Sequence, residues 1–154
     1  MNTYENVEIF EDTKRLCEKN EKLRASVAES VKNQKLIPEN EKLPVVDKKR
    51  FSDEAKVVVS TKRTFEAAAG YAGQKVAVHN FASPYKPGGG VLRGAGAQEE
   101  CLCRCSGLYF CLNRPELEKG FYGPHRKSKN PIGSADIIYT PAVTVFKTDT
   151  AKPQ

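Results

Sequence analysis

The sequence predicts an α/β domain, and three observations predict it. Between residues 56 and 80 a continuous β-branched run, a short helical stretch and a second apolar run follow one another. A glycine-rich segment then separates that unit from a further helical stretch. Ahead of both lies a Glu-, Lys- and Asn-rich region whose few apolar residues keep helical spacing. At 154 residues the chain suggests one domain. Folding a chain of this size buries roughly 70% of its unfolded surface, enough for a core.

Each element has its own signal. From Tyr4 to Lys35 the apolar residues are sparse, but Leu23, Val27 and Val31 recur every fourth position, which is the period of one helix face. The spacing predicts one helix, broken near Asn20. Pro38 and Pro44 bracket a loop. Lys56-Val57-Val58-Val59-Ser60 reads as a buried strand, being continuous and β-branched. Thr61 to Tyr71 reads as a helix capped by Thr61 or Thr64, with Phe65, Ala68 and Ala69 inward and Gly73 at its end. Lys75 to Asn80 reads as a second strand, so a parallel strand–helix–strand unit is expected. A long loop from Phe81 to about Ala97 leads to a helix from Gln98 to Leu112. Asp136–Tyr139 and Thr144–Phe146 are candidate strands.

Composition excludes several function classes. Hydrophobic residues make up 39% and charged residues 29%, as in a soluble globular protein. The net charge of +6 favours anionic partners, but no dense Lys/Arg block marks a nucleic-acid surface. Aromatics are 8% and Trp is absent, so a base-stacking platform is poorly supported and direct nucleic-acid binding is not expected. No apolar run approaches the ~18 residues of a membrane span, and the first residues lack the basic and apolar regions of a secretory signal. No membrane partner is expected. Five cysteines, four of them crowded into Cys101, Cys103, Cys105 and Cys111, do not form a disulfide framework and point to a reducing cytoplasm. Their spacing also misses the paired pattern of a zinc site, so buried small side chains are preferred to a metal.

The chemistry is concentrated in the long loop. Five of the 11 glycines lie between residues 88 and 96. The loop sits between the C-terminal end of a predicted strand and the start of a helix, where open parallel sheets bind ligands. Three consecutive glycines allow close backbone approach, so successive N–H groups can converge on an anion, and the next helix N-terminus adds more. A phosphate or diphosphate is the ligand class this suggests. The pattern is neither a Walker loop nor a dinucleotide fingerprint. A plain flexible loop is equally compatible with the glycines alone. Gln98-Glu99-Glu100 opens the helix eight residues after the triplet. Two acidic residues in a first turn serve the helix dipole in the bland reading. In the functional one, a carboxyl beside a phosphate cradle acts on the attached sugar, because carboxyl acid–base pairs break glycosidic bonds.

Asn80-Phe81-Ala82-Ser83-Pro84, Pro87-Gly88-Gly89-Gly90-Val91 and Ala97-Gln98-Glu99-Glu100-Cys101-Leu102-Cys103-Arg104 together resemble the microbial-type poly(ADP-ribose) glycohydrolases. The resemblance runs from roughly Val57 to Asp149 and takes in Phe121-Tyr122, His125-Arg126 and Ile138-Tyr139-Thr140-Pro141. It implies a macrodomain-like three-layer α/β/α sandwich, with residues 1–50 as an N-terminal helical accessory segment and 51–154 as the glycohydrolase region. It implies ADP-ribose or poly(ADP-ribose) as substrate, ADP-ribosylated proteins as partners and no cofactor. By resemblance, Glu100 is the acid–base residue, Glu99 holds ribose hydroxyls and Gln98 fixes the loop. Gly88, Gly89, Gly90 and Val91 line the diphosphate and distal ribose, and Ser83 stands where related macrodomains often have Asn. The family's second glycine-rich phosphate loop has no counterpart before Gln154, so the sheet is expected to be incomplete and the region truncated at its C-terminus. The rival expectation is an ADP-ribose-binding module or inactive fragment without turnover. His79 is expected to be structural, and His125 is expected in a loop, meeting either ligand or solvent.

Overall fold

The computed structural model describes residues 2–47, 49–128, 130 and 132–150. Ala151–Gln154, the end of the predicted glycohydrolase region, lie outside the described residues.

Helix α1, Thr3–Lys19, opens with a capping box. The Asn2 side chain accepts from the Glu5 N–H and the Glu5 carboxylate accepts from the Asn2 N–H. Its inward face is Asn6, Phe10, Thr13 and Cys17, residues three or four apart and all buried. The predicted break falls at Asn20. The Asn20 N–H closes α1 on the Leu16 carbonyl, and its side chain accepts from Leu23 N–H to open α2, Glu21–Lys32.

Strand β1, Lys35–Ile37, falls between the predicted helical stretch, which ends at Lys35, and the loop that Pro38 opens. It pairs antiparallel with β2, Ile137–Tyr139, in the register Lys35 to Tyr139 and Ile37 to Ile137. These two strands make the one sheet among the described residues.

The predicted strand–helix–strand unit does not form. Its helix is present as α3, Thr64–Ala69, but Arg63 rather than either threonine holds the N-cap position, its N–H bonded to Glu66. Phe65 and Ala68 are half-buried and Ala69 is exposed; the helix closes at Gly70, and Gly73 lies beyond it with φ +84°. Residues 56–60 and 75–80 are irregular. A strand exists only through a ladder with a neighbour, and β-propensity measures packing against that neighbour. With no partner among the described residues, Val57 and Val59 stand 84% and 92% exposed.

The predicted helix from Gln98 to Leu112 is two helices, α4 (Gln98–Cys105) and α5 (Leu108–Leu112). Ser106 is extended and bridges Val145, while Gly107 N–H donates to the Thr144 carbonyl. The Phe146 and Lys147 N–H groups both donate to the Cys105 carbonyl. The candidate strand Thr144–Phe146 is therefore a single bridge that wedges the helix open. Helix α6 (Pro115–Leu117), a π-turn at Glu118–Tyr122 and α7 (Gly123–Ser128) complete the chain's helical part. The core gathers Phe10 of α1, Val91, Leu102, Tyr109, Leu112 and Tyr122. Phe10 and Tyr109 meet edge to face at 5.0 Å.

Candidate active site

The glycine loop is a tight structure. Gly88 and Gly89 take φ of +65° and +58°, a region that side chains disfavour. Gly89 N–H donates to the Lys86 carbonyl, and Val91 N–H to that of Gly88. Residues Val91–Arg93 form a 3-10 turn, and Ala95 N–H returns to the Gly90 carbonyl.

The first turn of α4 lies against this loop. Gly90 N–H donates to Glu100 Oε1 at 2.8 Å. Glu100 Oε2 is buried without a hydrogen-bond partner. Glu99 is held from the other side: its Oε2 accepts from Ser83 N–H at 2.8 Å, and its Oε1 from Asn80 Nδ2 at 3.4 Å. Burial pushes the Glu99 carboxyl above its usual range, against the bonds from Ser83 and Asn80. Gln98 ties the layers together, accepting from Phe81 N–H and donating to the His79 carbonyl and the Thr64 hydroxyl. Ser83 Oγ accepts from the N–H groups of Tyr85 and Lys86, which shapes the approach to the triplet.

Ser83, Gly88, Gly89, Gly90, Gln98, Glu99 and Glu100 thus converge. Val91 faces the other way: its side chain is fully buried in the core. Asn80, inside the sequence stretch already singled out, is a Glu99 partner that the sequence did not mark. Asn6 and Arg104 also reach the loop, through its carbonyls; Arg104 closes the singled-out Ala97–Arg104 stretch without having been given a role, and no sequence signal pointed to Asn6. His125 is on α7 and buried rather than in a loop. Its Nδ1–H donates to the Phe121 carbonyl at 2.8 Å, and its Nε2 hydrogen-bonds the Ser134 hydroxyl at 2.9 Å. It lies at the edge of a cleft of about 460 Å³ that also includes Asn80 and Phe81. Cys17, Cys103, Cys105 and Cys111 are buried and Cys101 is half-buried. Among the described residues no three His, Cys, Asp or Glu side chains are grouped to hold a metal.

A buried carboxylate pair on a helix start, one member bonded to the last glycine of a triplet whose first two residues are left-handed, can bind a sugar attached to a phosphate and exchange a proton with it. The sequence pattern of the family described as microbial-type PARG, catalytic domain, matches residues 3–148. This chain belongs to that family. The PARG match begins in α1, so the N-terminal helices are part of what is shared.

Solved PARG structures agree. Poly(ADP-ribose) glycohydrolase from Thermomonospora curvata is 29% identical with a TM-score of 0.79, over 97% of this chain and 61% of that one. The same enzyme bound to the inhibitor ADP-HPD is 31% identical with a TM-score of 0.77, over 95% and 56%. The Deinococcus radiodurans PARG in complex with ADP-ribose is 32% identical with a TM-score of 0.64, over 82% and 54%. The chain therefore has a PARG-like fold and spans a little over half the length of these enzymes. No curated protein sequence matches it.

Proposed function

We propose that this chain is a poly(ADP-ribose) glycohydrolase unit that hydrolyses ribose–ribose O-glycosidic bonds in ADP-ribose polymer. One observation carries the reading. Glu100 is bonded through one oxygen to the Gly90 N–H, while its other oxygen is buried and unpartnered beside the glycine triplet. A carboxyl so placed is aimed by the same loop that would cradle a diphosphate.

The mechanism follows from those positions. Gly88 to Gly90 bring backbone close to the diphosphate and distal ribose. Glu99, fixed by Ser83 and Asn80, accepts hydrogen bonds from ribose hydroxyls. Glu100 in its protonated form gives its proton to the leaving ribose oxygen as the glycosidic bond breaks. The oxocarbenium-like carbon that results is stabilised by the nearby diphosphate. Water then attacks it and returns a proton to Glu100, which ends as it began. The route uses no cofactor.

The wider reading places the protein in the cytoplasm, with ADP-ribose, poly(ADP-ribose) and ADP-ribosylated proteins as partners. No helix among the described residues is long and apolar enough to cross a membrane. The three-layer α/β/α sandwich is the form we propose for the fold where residues 56–60 and 75–80 meet strand partners, with residues 1–50 as its accessory segment. The Deinococcus radiodurans relative holds ADP-ribose, and the second reading is ADP-ribose binding without turnover.

Digestion of radiolabelled polymer by the chain, with Glu100→Gln beside it, tests the first reading against the second. Glu100→Gln keeps size and polarity but cannot carry the proton, and a loss of about 100-fold or more in hydrolysis is expected with ADP-ribose affinity little changed. Near wild-type hydrolysis by that variant would overturn the acid–base assignment. Binding of ADP-ribose with no release of product by the wild type would establish the second reading.

A further inference from the structure

Between the triplet and Gln98 the chain doubles back through Gly94, Ala95 and Gly96. Gly94 takes φ +73°, and no side chain in this return carries a polar group. Two carbonyls of the return are instead held from outside. Asn6 of α1 donates Nδ2–H to the Gly94 carbonyl at 2.8 Å. Arg104 of α4 donates Nη1–H to the Ala95 carbonyl at 2.7 Å.

Arg104 is 1% exposed, and no carboxylate pairs with it among the described residues. Its second donor reaches Cys101 Sγ at 3.1 Å, and its own carbonyl accepts from Thr13 of α1 at 2.5 Å. Its Nε is buried without a partner, so the guanidinium is held by the Nη bonds alone, and a charge-assisted bond to a carbonyl is stronger than a neutral one. Arg104 also lies one turn after Glu100, on the same face of α4. Helix and loop are therefore tied twice, through Glu100 to Gly90 and through Arg104 to Ala95, while Ala95 N–H bonds back to the Gly90 carbonyl.

We propose that Arg104 is a positioning residue for Glu100. It holds the Ala95 carbonyl, so the return keeps Gly90 in place and the Gly90 N–H keeps the Glu100 carboxyl aimed. Asn6 is the second anchor, from α1. The catalytic part of this proposal rests on the glycohydrolase reading; the structural part does not.

Amide exchange on the full chain separates the two. Arg104→Lys keeps the charge but loses the planar fork that serves Ala95 and Cys101 together. The Gly90 amide is expected to exchange about tenfold faster in it, with amides in the middle of α1 and in α5 unchanged. Asn6→Ala is expected to loosen the same amide, and it stands in if Arg104→Lys does not fold. An unaffected Gly90 amide in a folded variant, or a rise spread evenly over the chain, overturns the proposal. In polymer hydrolysis, Arg104→Lys is expected to lower kcat about tenfold or more, because Glu100 is misaimed, while KM rises by a smaller factor as Gly90 loosens. A rise in KM that accounts for the whole loss overturns it. A wild-type chain without hydrolysis defeats the glycohydrolase reading and leaves the exchange result to decide the positioning.

Discussion

Gly89 changes what the glycine triplet means. A side chain there would come within 2.5 Å of Glu100 Oε1 before it met any ligand. The residue is small because the carboxyl of α4 occupies the space above it, and its φ of +58° adds a second reason. The triplet and Gln98-Glu99-Glu100, separate motifs in the sequence, are thus one steric unit. Glu99 shows the electrostatic side of that unit. It is 3% exposed, and burial is the main cause that raises its carboxyl above the ordinary value of 4.5. A group raised in this way contributes most to stability below pH 4.5, and the contribution is lost as pH climbs through the raised value. Glu99→Gln removes the ionisation. Its melting temperature relative to wild type is therefore expected to be higher at pH 8 than at pH 4, by roughly 2–4 °C for each kcal/mol involved. Thermal melts across that range decide it: a difference that does not change with pH would mean that Glu99 titrates no differently in the folded and unfolded chain.

Helix α1 is the element that the glycine loop rests on. Gly94 has φ +73°, and a Cβ on it would overlap the Thr3 carbonyl oxygen at the start of α1. Gly94→Ala is expected to cost about 2 kcal/mol or more, from the left-handed backbone and from pushing the helix off the loop. Faster amide exchange through α1 together with a lowered melting temperature would confirm it, and an undisturbed α1 would contradict it. The sequence showed some of these elements for physical reasons. The joint between α1 and α2 was legible because Asn20 caps locally, with partners three and four residues away. Glu99 and Glu100 were legible because the motif holds both halves of the site within 13 residues of sequence, Gly88 to Glu100. Strand β1 was not, since three residues are too few to show alternation and the partner, β2, lies about 100 residues on. Asn6 was hidden, and Arg104 went without a role inside its quoted motif, because both bond to backbone carbonyls, which every residue has. His125 was misplaced because Gly123 and Pro124 read as loop, whereas α7 passes through them.

At the scale of the molecule the well-packed side and the open side differ sharply. Around α1, α4 and α5 the core is closed and the carboxylates are fixed. On the open side Val45, Phe51, Val57, Val58 and Val59 are all exposed, three of them in a run whose composition belongs to a strand covered on both faces. Exposed β-branched runs with unpaired backbone pair with other chains, and a neighbouring lysine is the common natural remedy. The chain is therefore expected to associate as its concentration rises, through residues 56–60, and to unfold over a broad, low-melting transition. Val58→Lys puts a charge in the middle of the run. It should shift size-exclusion elution toward the monomer while leaving Glu100 in place, since no hydrogen bond described above runs from residues 56–60 to the glycine loop or α4. A wild-type chain that elutes as a monomer at every concentration and melts sharply would show that the open side is stable as it stands. Suppressed association in Val58→Lys with unchanged ADP-ribose affinity would separate the surface that makes the chain self-associate from the one that would bind the polymer.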